Sequence, residues 1–191
     1  MMPHPAQSAV VIGASAGALN ALTNVLAPLS AAFPRAVLVV VHIPSHTASL
    51  LPELLRAKCP LGVKEADDKE PALASHIYIA PPDYHLQVEA DKCISLSNDE
   101  PVYFSRPSID VLFETAAEAY GKNLVGIVLT GANDDGAKGL RAIVDAGGIA
   151  LVQHPDKAYA AQMPRAAIEA CPEAQVLELS AIAHYLQELK P

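Results

Sequence analysis

Three runs of apolar residues set what this chain can fold into: Ala9 to Ile12, Ala36 to Val41 and Leu124 to Thr130. They are short, rich in valine and isoleucine, and almost free of polar residues. That is the pattern of strands covered on both faces, as in a parallel sheet flanked by helices. The intervening stretches read as those helices: Ala18 to Leu29, Ser49 to Lys58, Ser108 to Tyr120, and Ala137 to Ala146, which Gly147-Gly148 stops. The alternation resumes with strands at Gly62 to Ala66, Ile149 to Gln153 and Val176 to Leu179, and helices at Pro164 to Ala170 and Ala181 to Leu189. In the middle, His76 to Ala80, His85 to Glu89 and Lys92 to Leu96 are broken by Pro81-Pro82-Asp83-Tyr84 and Ala90-Asp91, and read as a β-hairpin or meander. The expectation is a doubly wound, mostly parallel α/β sheet with an antiparallel hairpin insertion. With no linker, repeat or low-complexity segment, residues 1–191 are expected to form a single domain.

Composition narrows the function classes. A net charge of −8 without a basic run argues against nucleic acid as a partner, since binding it requires Lys and Arg to replace counterions. No apolar run approaches the roughly 20 residues that span a bilayer, so no membrane insertion is expected. The start, Met1-Met2-Pro3-His4-Pro5, lacks a basic region and a hydrophobic signal core. Cys59, Cys93 and Cys171 make no metal or redox motif, and their odd number fits a reducing compartment. A cytoplasmic protein is expected.

The chemistry is concentrated where strands end. Ser15 lies in Gly13-Ala14-Ser15-Ala16-Gly17, on the turn from the first strand into the first helix, and matches the G-x-S-x-G nucleophile pattern. His42 closes the second strand, before Pro44. Asp134 and Asp135 follow the strand Leu124 to Thr130, where the next helix begins. Open α/β sheets place their ligand crevices at such strand ends. Each residue also has a plainer role. Ser15 suits a glycine-rich anion-binding turn, although this chain has neither G-x-G-x-x-G nor a P-loop lysine. His42 suits a hydrogen-bonded strand end, and either aspartate suits a cap on the helix that follows. A metal site built from His42 and His46 is disfavoured, because Pro44 breaks the helix that such spacing needs.

The order serine, histidine, aspartate differs from that of the α/β-hydrolases. Together with Ile12-Gly13-Ala14-Ser15, Val41-His42-Ile43-Pro44, Tyr78-Ile79-Ala80-Pro81-Pro82 with His85-Leu86, Arg106-Pro107-Ser108-Ile109-Asp110, Leu129-Thr130-Gly131, Asp135-Gly136-Ala137 and Met163-Pro164-Arg165, it resembles the catalytic domain of the CheB-type chemotaxis protein-glutamate methylesterases. The resemblance implies a three-layer α/β/α sandwich. It also implies a serine hydrolase that removes methyl esters from γ-glutamyl groups of methyl-accepting chemoreceptors and possesses glutamine deamidase activity. Carried over, Ser15 is the nucleophile, His42 the base and Asp135 the orienting acid, with the backbone N–H groups of Ala16 and Ala132 as the oxyanion hole. No cofactor or metal is implied. The partner would be a methylated chemoreceptor or another methylated protein. Lacking the family's receiver domain, the chain is expected to be a stand-alone form, with a separate response regulator as a candidate regulator. Ala16 stands where the family has threonine, and Ala132-Asn133 where it has Met-Gly. These departures keep open two alternatives: a catalytically silent or nucleotide- and anion-binding α/β module, and an esterase for a different substrate.

Overall fold

A computed structural model describes residues 4–42 and 50–190. In chain order its elements are β1 (Ala9–Ala14), α1 (Ala18–Leu26), β2 (Ala36–Val41), α2 (Leu51–Arg56), β3 (Gly62–Glu65), β4 (His76–Ile79), β5 (His85–Val88), β6 (Ile94–Ser97), α3 (Ile109–Tyr120), β7 (Leu124–Val128), α4 (Ala137–Asp145), β8 (Ile149–Gln153), α5 (Gln162–Ala170), β9 (Gln175–Leu177) and α6 (Leu179–Gln187). Seven strands make one parallel sheet in the order β3-β4-β2-β1-β7-β8-β9, and β5 pairs antiparallel with β6.

The long apolar runs are central because both their faces are covered. Along β1, Val10, Ile12 and Ala14 pack with Leu22, Val25 and Leu26 of α1 and with Ile182 and Leu186 of α6. Ala9 and Val11 face the other way, toward Ile109, Phe113, Leu140 and Met163 from α3, α4 and α5. The result is three layers, helix, sheet, helix, with the β5-β6 hairpin laid on α3 through Leu86, Val88 and Ile94. Among the described residues no helix is long and apolar enough to cross a membrane.

One part of the sequence reading changes. His76 to Ile79 does not join the meander but lies between β3 and β2 in the main sheet. Ile77 and Ile79 are buried toward α1 and Tyr78 toward the opposite layer, so this short strand is covered on both faces. Only a sheet interior provides that, and the meander reduces to the hairpin β5-β6.

The sheet reverses direction of growth at β1, with β2 on one side and β7 on the other. The crevice of such a sheet opens beyond the carboxyl ends of its strands at that switch point.

Candidate active site

Register brings the first two candidates together. Ala14 pairs with Val41, so Ser15 and His42 are the next residues on adjacent parallel strands, and the His42 N–H donates to the Ala14 carbonyl at 3.2 Å. The turn carrying Ser15 is fastened from β7's side. The Ser15 N–H donates to the Thr130 carbonyl at 2.8 Å, and the Thr130 hydroxyl donates to the Ala16 carbonyl at 2.8 Å. Thr130 is itself held, its N–H donating to the buried Gln153 side chain at 2.9 Å. Gly17 completes the turn at φ +82°, where an added Cβ would also strike Tyr159. Only glycine takes this conformation without strain.

His42 Nε2 donates to Asp135 Oδ2 across 2.7 Å, with the histidine side chain 12% exposed and the aspartate 0%. Three further groups donate to the same carboxylate: the Ser108 hydroxyl at 2.9 Å, and the N–H groups of Ile109 at 2.7 Å and Asp110 at 2.9 Å. Burial alone would raise this carboxyl's pKa. The hydrogen bond from His42 and those from the first turn of α3 outweigh it and hold the group below the usual carboxylate range. A buried anion hydrogen-bonded to an imidazole fixes the ring's tautomer and stabilises its protonated form. Ser15 and His42 are not hydrogen-bonded to each other, and the ring's Nδ1 accepts instead from the Asn133 amide at 3.3 Å. Among the described residues, the N–H groups of Ala16 and Ala132 donate to no protein acceptor.

Residues 10–186 match the family model described as CheB methylesterase. The chain belongs to the CheB methylesterase family. A Leptospira interrogans relative is 48% identical over 92% of this chain and 91% of its own length. A Salmonella typhimurium relative, named protein-glutamate methylesterase/protein-glutamine glutaminase, is 37% identical over 93% of this chain and 51% of its own. The Thermotoga maritima CheB methylesterase catalytic domain superposes with a TM-score of 0.92 at 32% identity, covering 96% of this chain and 98% of that one.

Within the CheB-type fold, the helix-capping reading of Asp134 and Asp135 needs correction. Asp135 caps α3, not the α4 that follows it. The N-terminus of α4 is capped by Asp110, whose Oδ1 accepts from the N–H groups of Gly136 at 3.0 Å and Gly139 at 2.6 Å. Two helices thus exchange carboxylates, each stabilising the partial positive charge at the other's start. The exchange requires close approach, and Gly139 allows it: a Cβ there would lie 2.5 Å from Phe113 Cβ and 3.0 Å from Asp110 Cα. Asp134 is exposed, and its carboxylate accepts from the Gln162 amide at 2.7 Å.

Four contributors escaped sequence reasoning. Thr130 secures the turn that carries Ser15, and the Ser108 hydroxyl and the Asp110 N–H hold the Asp135 carboxylate. His85, buried, accepts the Ser108 N–H at Nδ1 and donates from Nε2 to the Glu100 carbonyl, which locks the start of α3 to the hairpin. All four stand within the motifs that carry the resemblance, but no local pattern assigns them these partners. The cysteines are unpaired, and burial pushes the Cys59 and Cys171 thiols up, away from reactivity. Among the described residues no group of three or more His, Cys, Asp or Glu is placed to hold a metal ion. His46 and Pro44 lie outside the described residues.

Asp110 makes a prediction of its own. Burial disfavours its charge most strongly, the Gly139 and Gly136 N–H groups oppose that, and the facing Asp135 carboxylate adds to it, leaving the carboxyl pushed up to about 6 from 3.8. Its second oxygen is buried without a partner. A carboxyl with a raised pKa in the fold favours folding when protonated. The contribution is therefore fully present below pH 4 and lost as pH rises through about 6. Asp110→Asn keeps an oxygen for both N–H groups and removes the charge. It is expected to erase this slope, raising stability at pH 7.5 relative to that at pH 4 by about 1–3 kcal/mol compared with the parent. Urea unfolding midpoints across that range measure it, and parallel profiles for the two proteins would refute it.

Proposed function

We propose that this chain is a serine hydrolase that demethylates γ-glutamyl methyl esters on a protein, with Ser15, His42 and Asp135 as its triad. The observation that carries the reading is the 2.7 Å bond from His42 to a fully buried Asp135, one residue past the strand pairing that sets Ser15 beside His42. Ser15 Oγ attacks the ester carbonyl carbon while its proton passes to His42 Nδ1, the nitrogen not engaged by Asp135. The carbonyl oxygen becomes an oxyanion, for which the unpaired N–H groups of Ala16 and Ala132 serve as donors. Collapse breaks the bond to methoxide, which leaves as methanol with the proton from His42. Water then attacks the acyl-serine, again through His42, and releases the glutamate carboxylate and free Ser15. The same steps on a glutamine side chain expel ammonia and leave glutamate, giving the deamidase activity. Backbone donors are indifferent to the alanine side chains at 16 and 132, so the hole survives those departures.

The protein substrate we infer is a methylated chemoreceptor, met in the cytoplasm, with a separate response regulator as the candidate controller. The Salmonella relative's name, protein-glutamate methylesterase/protein-glutamine glutaminase, supports a methylated protein glutamate as the group acted on. The test compares methanol release from a γ-glutamyl-methylated receptor fragment with release from a simple methyl ester. A kcat/KM at least about 10²-fold higher for the fragment is expected, because contacts remote from the ester contribute to the transition state. Equal turnover would move the substrate to small esters. No release from either, with nucleotide or anion binding retained in Ser15→Ala, would replace the hydrolase by a binding module.

A further inference from the structure

Asn133 makes two hydrogen bonds that together determine which way its amide faces. Its Oδ1 accepts the Asp135 N–H at 3.2 Å, closing a turn, and its Nδ2 lies 3.3 Å from His42 Nδ1. A backbone N–H can only donate, so the oxygen must face Asp135 and the NH2 must face the ring. His42 Nε2, set against a carboxylate that accepts only, carries the ring's proton. Nδ1 is then the acceptor, and its single in-plane lone pair is taken by Asn133.

We propose that Asn133 is a positioning residue that latches His42. It holds the neutral ring with its proton on Nε2, and it occupies the lone pair that must receive the proton of Ser15. This rests on the hydrolase reading above, in which Nδ1 is the basic nitrogen. Once Nδ1 is protonated, its N–H and the Asn133 NH2 are two donors facing each other, so the amide must withdraw before acylation can proceed. Because Oδ1 is tied to the backbone of Asp135, the latch and the catalytic acid belong to one turn. Ala132, next to it, is exposed, and Asn133 is half-buried at the lip of the site, where a docking substrate can displace the amide.

Two substitutions separate the latch from a purely structural role. Asn133→Ala removes the donor. Asn133→Asp keeps an oxygen for the Asp135 N–H but sets an acceptor against Nδ1. The full chain is treated with phenylmethylsulfonyl fluoride, and Ser15 sulfonylation with loss of fluoride is followed by intact mass. The His42 ring nitrogens are read by 15N NMR. Asn133→Ala is expected to be sulfonylated about 2- to 10-fold faster than the parent, the range of one ordinary hydrogen bond. Asn133→Asp is expected to react more slowly than the parent and to show a proton on Nδ1, where the parent shows none. Equal labelling rates in all three proteins, or a protonated Nδ1 in the parent, would overturn the latch. Should Ser15 take no label in any of them, the hydrolase reading fails and the nitrogen spectra alone judge the hold of Asn133 on His42. Identical spectra for the parent and Asn133→Asp would then reject it.

Discussion

Ser15→Ala is expected to reduce methanol release from a γ-glutamyl-methylated receptor fragment by about 10⁴- to 10⁶-fold, the loss that follows removal of a triad nucleophile. The protein should otherwise be unchanged. The bond that fixes the turn comes from the Ser15 backbone N–H to Thr130, and Ser15 stands in the turn between β1 and α1, next to Ala14 and Ala16 in the chain. Stability should therefore stay within about 0.5 kcal/mol of the parent. Rates of methanol formation and urea midpoints measure the two halves of this statement. Release within tenfold of the parent would remove Ser15 as nucleophile.

Asp135→Asn should be damaging twice over. The amide no longer stabilises a protonated His42 or selects its tautomer, a loss of about 10⁴ in kcat. The structural cost arises because the carboxylate receives donors on both oxygens. Oδ1 accepts from Ser108 and the Asp110 N–H, and Oδ2 from His42 and the Ile109 N–H. An amide has one oxygen. Whichever way it turns, its NH2 meets a backbone N–H at the start of α3, and neither backbone group can reverse its role. With the loss of charge at a helix N-terminus, a destabilisation of about 2–4 kcal/mol is expected at pH 7. Since the Asp135 carboxyl lies below the usual carboxylate range, its ionised form carries that stability. The difference between parent and variant should persist until the pH falls below that range. Asp134→Asn should leave rate and stability nearly unaltered, as the Asp134 side chain is exposed and its carboxylate meets the Gln162 amide at the surface. The opposite pattern, with Asp134→Asn inactive and Asp135→Asn active, would transfer the role of the acid.

The two aspartates also mark where local pattern stops being informative. The runs at β1, β2 and β7 were legible because a strand buried on both faces needs apolar residues in succession, a requirement written in adjacent positions. Ser15 and His42 were legible for a related reason, each being the first polar side chain after such a run. Asp135 could be told from Asp134 only by resemblance. In sequence both sit before a helix and both look like its cap. In the structure, Asp135 caps a helix that starts 26 residues earlier, and Asp110 returns the service across 29. No local motif records a cap supplied by another helix. The misplacement of His76 to Ile79 has the same origin: nearness along the chain suggested pairing with β5, whereas burial on both faces required the interior of the sheet.

What the sequence by itself determined was the class of fold, a sheet covered on both faces, and the strand ends at which the serine, the histidine and a pair of aspartates stand. Each of these follows from the polarity of neighbouring residues and the geometry of a single strand, turn or helix, whereas the choice of Asp135 over Asp134 came from resemblance. What only the tertiary structure decided was how those groups are held. Thr130 fastens the turn of Ser15, Asp110 and Asp135 cap each other's helices, and Asn133 lies against the free nitrogen of His42. These contacts join residues from separate elements, and a hydrogen bond of about 3 Å depends on packing angles that the order of residues along the chain does not specify.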